Sequence, residues 1–331
     1  MTKIPLSVLE LATVVKGGNH SSAIESTVAV ARHVEALGYN RIWMAEHHNM
    51  EYIASSATSV LIGHVAGKTN SIRVGSGGIM LPNHSPLVIA EQFGTLASIY
   101  PGRIDLGLGR APGTDQLTAR ALRRNNLDTS LHFPNDVKQL QTYFSKSNST
   151  AMVRAFPGEG LDIPIWILGS STDSAYLAAQ MGLPYTFAAH FAPTHFRQAI
   201  AIYREHFRPS AYLDKPYVMA CVNVLGADTD EEASALLSSL IAMFVGVITN
   251  VRSPLQAPGQ LPAEYNIPEV RSTINSMLAC TFTGNSASLR TKLSDFIDDT
   301  QIDELMVATY IYDNEAKLKS FSILREALES V

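Results

Sequence analysis

The sequence predicts an α/β chain folded as a (β/α)8 TIM barrel, with insertions after the fourth and seventh strands. Three observations carry that expectation. Eight short runs of strand-like composition recur along the chain, and segments with apolar residues at helical spacing fall between them in a β-then-α rhythm. That rhythm requires parallel strands joined by crossover helices, and eight such units favour a closed barrel over an open sheet. The chain length of 331 residues suits a barrel with insertions, and a hydrophobic fraction of 46% supplies its core.

The elements follow in order. IPLSVLE (4–10) is the first strand, and the turn residues KGGNHSS come after it. AIESTVAVARHVEALGY (23–39) is helical in spacing, with Ser21 or Ser22 available as cap and Gly38 near its end. NRIWMAE is the second strand and ASSATSVLIGHVAGKT the second helix, whose small residues permit close packing. SIRVGSGGIML is the third strand, followed by the helix SPLVIAEQFGTLASIYPG with its Pro-Gly stop, and RIDLGLGR is the fourth strand. IPIWILG (163–169) and LPYTFAA (183–189) flank the helix STDSAYLAAQMG. PYVMACVNVLG (216–226) and DELMVATYIY (303–312) complete the eight, and EAKLKSFSILREAL closes the chain.

Residues 1–331 thus read as one barrel domain broken in two places. Residues 113–160, rich in Asn, Thr and Ser, hold two short helix-like pieces at 115–123 and 135–145. Residues 250–275 hold four prolines and almost no periodicity. A loop of that length inside a compact domain is usually functional or mobile. Between the last two strands it projects from the face where barrel active sites sit, and it reads as a lid; the alternative is an insertion without a role.

Composition narrows the function. A net charge of -5, with 25 Lys and Arg scattered along the chain, gives no basic stripe for nucleic acid. The first 20 residues carry Lys3, Glu10 and Lys16 and have no leader-like apolar run. The most apolar stretch, 236–251, is interrupted by Ser238, Ser239 and Thr249 and is shorter than the roughly 20 residues that span a bilayer. Two cysteines argue against a disulfide framework and fit a cytoplasmic protein.

Candidate chemistry gathers at the C-terminal ends of strands, the catalytic face of a barrel. Glu46, His47 and His48 end the second strand. Neighbours along a strand point to opposite sides, so at most one of the two histidines faces the mouth, and no Asp/Glu/His cluster at ligand spacing completes a metal set. Proton transfer, or hydrogen bonding to a bound ring, suits an imidazole there better. Gly75, Gly77 and Gly78 interrupt the third strand, either as a bulge or to give a flat ligand room. His84 follows between Pro82 and Pro86. Arg110 ends the fourth strand, as an anion clamp or as a surface charge with a carboxylate partner. Gly169, Ser170 and Ser171 open the helix after the fifth strand, where free N–H groups and hydroxyls suit a phosphate; the plainer reading is a serine N-cap.

Four colinear motifs now carry a family resemblance: AEHH (45–48), VGSGGIMLPNHSPLVIAEQ (74–92), PGRIDLGLGRAPG (101–113) and AAQMGLP (178–184). They resemble the luciferase-like flavin monooxygenases, including the bacterial luciferase α subunit, and most of all the small single-chain bacterial branch. The resemblance implies a (β/α)8 barrel, reduced FMN (FMNH2) supplied by a separate flavin reductase, dioxygen as co-substrate, a peroxyflavin and a dimer packed through early helices. It implies that His47 is catalytic, with His84 matching a second histidine. It implies a cis peptide at Gly77–Gly78 beside the flavin ring, with Glu46 close by. Arg110, Gly169, Ser170, Ser171 and Ser174 would hold the phosphate, and 250–275 would be the mobile loop. The turn GSSTDS departs from the luciferase pattern, which has an acidic residue there, and so reads as less negative. Nothing marks a long-chain aldehyde pocket. A deazaflavin F420 reductase on the same barrel, a flavin-binding protein without turnover, and a metal-dependent hydrolase using His47 and His48 stand as alternatives.

Overall fold

The computed structural model describes residues 4–111, 114–123 and 127–329. Nine parallel strands form one sheet: β1 Leu6–Glu10, β2 Arg41–Met44, β3 Arg73–Met80, β4 Ile104–Gly109, β5 Ile165–Gly169, β6 Tyr185–Ala188, β7 Val218–Gly226, β8 Thr281–Gly284 and β9 Glu304–Ala308. Eight of them close a barrel, β1 through β7 in sequence and then β9, which returns to β1. All eight strands read from the sequence are in it. The ninth, β8, pairs with the outer half of β7 beyond the barrel rim. It was not anticipated, because TFTG is too short to show a period.

The helices are α1 His20–Ala36, α2 Thr58–Ala66, α3 Pro86–Ile99, α4 Gln116–Arg123, α5 Phe133–Phe144, α6 Thr172–Met181, α7 Phe196–His206, α8 Asp230–Thr249, α9 Pro268–Met277, α10 Ser286–Thr300 and α11 Asn314–Glu329. The cap of α1 is Asn19, whose side chain accepts the Ser22 N–H at 3.0 Å. Ser22 returns the bond to the Asn19 N–H, so the serine expected as cap is instead the other half of a capping box. Both helix-like pieces read in 113–160 are present, as α4 and α5. The segment 250–275 is less irregular than its sequence suggested. Its last residues belong to α9, which begins on Pro268, where a proline costs no hydrogen bond.

Alternation along the strands divides the apolar residues into two clusters. One fills the space between barrel and helices. The other, with Leu9, Trp43, Trp166, Met219 and Met306, fills the barrel and continues into Phe244 of α8, Leu255, and Ile274 of α9. By length and composition α8 could cross a membrane; about a third of it (33%) is buried here, and its apolar run is preceded by the acidic first turn Asp230, Glu231, Glu232. At the N-terminal end the barrel is closed by charge. Arg41 Nη1 donates to Asp105 at 2.7 Å and its Nε to Glu304 at 2.8 Å, while Trp43 Nε1 reaches Asp105 at 3.1 Å. A buried cation between two buried carboxylates persists only when the pairing is this complete.

Candidate active site

The opposite end of the barrel is built differently. Toward the C-terminal ends of the strands the inward positions are small: Ala45, Gly77, Gly107, Ala188 and Ala308. Bulky side chains below and small ones above leave room in the mouth for a flat ligand.

β3 carries the sharpest local feature. Its pairing with β4 shifts register between Ser76 and Ile79, and the Gly77–Gly78 peptide is cis. A side chain at Gly77 would meet Leu9 at 2.7 Å and Trp43 at 3.0 Å, and one at Gly78 would meet the Gly107 carbonyl at 2.8 Å. The bulge reading of these glycines is therefore realised, at a place that also faces the mouth.

Just past β2, Glu46 is buried with 1% of its surface exposed. Its Oε1 accepts His48 Nε2 at 2.7 Å and His84 Nε2 at 2.9 Å, with Asn83 Nδ2 at 3.4 Å, and its Oε2 accepts the Met80 N–H at 3.0 Å. Burial alone would raise its pKa, but the bonds from His48, His84 and Met80 outweigh burial and hold it at about 2. Glu46, His48 and His84 also bring one ligand atom each to within 4.8 Å of one another. Ligand spacing along the sequence does not show this cluster, since His84 lies 38 residues beyond Glu46. A cation here would have to replace two hydrogen bonds that already satisfy the carboxylate.

His47 points elsewhere. Its field acts on His190, in the loop after β6. β2 and β6 stand across the barrel with three strands between them on either side, and the His47 charge is near enough to act on His190. His190 is buried, first by desolvation and then by the neighbouring His47 charge its pKa falls to about 3, and its Nδ1 has no partner. Asn223 on β7 donates to the His190 carbonyl at 2.6 Å, and its Oδ1 is likewise without a partner. Sequence reasoning missed both. The signal for His190 was the one that singled out His47 and His84, a histidine at a strand's C-terminal end.

The phosphate candidates are brought together. Arg110 follows β4, and Gly169 ends the neighbouring β5, with Ser170, Ser171 and Ser174 after it. Of these, Arg110 and Ser174 line a cavity of about 210 Å³, together with Phe133, Leu168 and Asp173. Ser171 occupies the N-cap of α6 but makes no side-chain capping bond, so the plain N-cap reading does not describe its hydroxyl. Ser174 Oγ donates to the Ser171 carbonyl at 2.7 Å and meets Tyr185 Oη at 2.9 Å; a Cβ at Gly169 would overlap it. Arg110 Nη2 contacts Asp173 Oδ2 at 3.3 Å. The turn thus carries one carboxylate, Asp173, set against Arg110.

A larger cavity, about 380 Å³, lies on the other side of the mouth at the ends of β1 and β9. Leu9, Leu11, Val15, Leu255 and Tyr310 line it, together with the buried ion pair Glu10–Lys317 at 2.7 Å. Leu255 is fixed there by a parallel bridge to Val15.

The sequence pattern of the family described as luciferase-like monooxygenase matches residues 6–279. The chain belongs to the luciferase-like monooxygenase family. A luciferase-like monooxygenase of Escherichia coli strain K12 is 46% identical over 328 residues, covering 99% of this chain and 98% of that one. The N-acetyl-S-alkylcysteine monooxygenase of Bacillus subtilis strain 168 is 31% identical, covering 98% of each. Among solved structures, apo-MsnO8 superposes with a TM-score of 0.89 at 32% identity over 99% of both chains. At 14% identity the fold alone is shared with two further structures. One is the FMN complex of the oxygenating constituent of 3,6-diketocamphane monooxygenase of Pseudomonas putida (TM-score 0.74, covering 99% of this chain and 98% of that one). The other is an F420-dependent secondary alcohol dehydrogenase (TM-score 0.68, covering 98% and 99%).

Proposed function

We propose that this luciferase-like monooxygenase is flavin-dependent, taking FMNH2 from a partner flavin reductase and using dioxygen to oxidise a small organic substrate. The observation that carries the reading is the corner formed by Arg110 and the start of α6 around the 210 Å³ cavity. A guanidinium, an uncapped serine hydroxyl and the free N–H groups of a helix start form a donor set suited to a phosphate. Ser170, Ser171 and Arg110 would hold that group, with Gly169 and Ser174 shaping the turn. The small inward residues Ala45, Gly77 and Gly107 would admit the ring beside the Gly77–Gly78 peptide. The residues present therefore fit FMN.

Bound reduced flavin supplies the electrons that activate dioxygen. The protein's part is positioning and proton handling. His47 acts as acid or base toward the reacting groups, Glu46 holds the rings of His84 and His48 in place, and residues 250–275 exclude water as a lid pinned at Leu255. The reading includes a homodimer packed through early helices, supported by the exposed apolar residues Val60 on α2 and Val88 and Ile99 on α3 (71%, 44% and 59%).

Titration with FMN, riboflavin and F420 tests the cofactor. Oxygen consumption with FMN, NADH and a flavin reductase then separates a monooxygenase from a flavin store. The reading stands if FMN binds in preference to the other two and oxygen is consumed in proportion to substrate oxidised; preferential F420 binding would replace it.

A further inference from the structure

Two buried polar atoms without partners, His190 Nδ1 and Asn223 Oδ1, belong to residues hydrogen-bonded to each other on the β6–β7 wall of the barrel mouth. Asn223 is fully buried, and both hydrogens of its amide are used, toward the His190 carbonyl at 2.6 Å and Thr281 Oγ1 at 3.1 Å. The amide's orientation follows from chemistry, because a flipped group would set its oxygen against the His190 carbonyl. Asn223 Oδ1 is therefore a bare acceptor. His190 is 7% exposed, burial holds its ring neutral, and its Nδ1 makes no bond. With the ring proton on Nε2, Nδ1 carries a lone pair. Buried polar groups in folded proteins are almost always paired, so adjacent bare acceptors mark a place where a ligand completes the network.

We infer that His190 Nδ1 and Asn223 Oδ1 form a hydrogen-bond-accepting corner of the substrate pocket, and that the substrate is an uncharged organic molecule presenting an N–H or O–H donor, such as an amide or alcohol. The inference rests on the flavin-dependent reading of the same mouth and names the substrate class for it. Two neutral acceptors reject an anion, since a carboxylate would bring lone pairs to lone pairs. Among the described residues no carboxylate bonds to either group, so an ammonium would be desolvated without a counter-charge. The corner lies beside His47, which would place a donor-bearing substrate within reach of the acid–base residue. It also lies across the barrel from Gly77 on β3, where the ring would sit, so the acceptors face the substrate and not the ring's own N–H.

The test uses the full-length protein labelled with ¹⁵N-histidine, with His190→Phe assigning the His190 signals. N-methylacetamide, N,N-dimethylacetamide, acetate and methylammonium are the probes, and FMN is titrated separately by its visible absorbance. Expected is a neutral His190 protonated on Nε2, with a Nδ1 signal that N-methylacetamide shifts saturably and the other three probes do not. His190→Phe should weaken N-methylacetamide binding about tenfold, the loss of one buried hydrogen bond, and leave FMN affinity unchanged. Four results overturn the inference: a proton on Nδ1, a cationic His190 at neutral pH, equal response to the four probes, or displacement of the Nδ1 signal by FMN alone. Failure to bind FMN in the absorbance titration is a separate outcome that strikes the flavin reading and leaves the imidazole result standing.

Discussion

Arg110 and Asp173 meet at 3.3 Å across the ends of β4 and β5, so the cation best placed for a phosphate is already paired with a carboxylate. Both side chains are largely exposed, at 49% and 68%, and a pair that open to water contributes at most about 1 kcal/mol. A dianion can displace it. Asp173→Asn should therefore raise FMN affinity by about fivefold, the equivalent of removing roughly 1 kcal/mol of competition. Isothermal titration checks it, and weaker binding would show that Asp173 orients the guanidinium instead of competing for it.

Glu46 ties the mouth together, and its contribution depends on pH. Its folded pKa of about 2 lies below the ordinary 4.5. The stabilisation, on the order of 3 kcal/mol, is complete above pH 4.5 and lost as pH falls toward 2. Glu46→Gln should lower stability by an amount of that order at neutral pH, with the difference from wild type shrinking below pH 4.5. Denaturant melts across that range give the answer; a constant difference would assign the loss to packing.

His190 adds a second acid-sensitive term. It is neutral in the folded chain down to about pH 3, whereas the unfolded chain takes up a proton near 6.5. The unfolded state binds more protons throughout that window, so stability falls as pH drops through it. By pH 5 the wild type should have lost on the order of 2 kcal/mol that His190→Phe does not lose. Parallel acid profiles for the two proteins would contradict this.

His47→Ala should leave FMN affinity within about twofold of wild type and reduce turnover by at least about a hundredfold, as removal of a general acid or base does. Loss of flavin binding in this variant would make His47 a structural residue.

Leu255→Ser keeps the backbone bridge to Val15 but removes the apolar side-chain contact that Leu255 adds between residues 250–275 and the segment after β1. It should increase the hydrogen peroxide released per NADH consumed with a reductase present, because water and dioxygen then reach a less protected mouth. Unchanged coupling would leave the lid reading without support.

The barrel was legible because parallel strands covered by helices are nearly continuous apolar runs, and the glycines, the histidine pair and Arg110 stood out against them. Distant pairing was not legible. Glu46 and His84 are joined by a loop whose course sequence spacing does not give. The acceptor corner depends on Asn223 spending its amide hydrogens on His190 and Thr281, three residues from three elements. Asp173 was read as part of a helix start, and only the closeness of β4 to β5 sets it against Arg110. The ninth strand escaped because its four residues, TFTG, are too few to show a period.

The central claim is that Arg110 and the start of α6 recognise the phosphate of the cofactor, and one comparison tests it most directly. Binding of FMN and of riboflavin is measured on the wild type and on Arg110→Ala. FMN should bind wild type more tightly than riboflavin and lose at least about tenfold affinity in the variant, a charge-assisted bond's worth, while riboflavin binding stays constant. Equal affinity for the two flavins, or an equal loss for both in Arg110→Ala, would contradict the account.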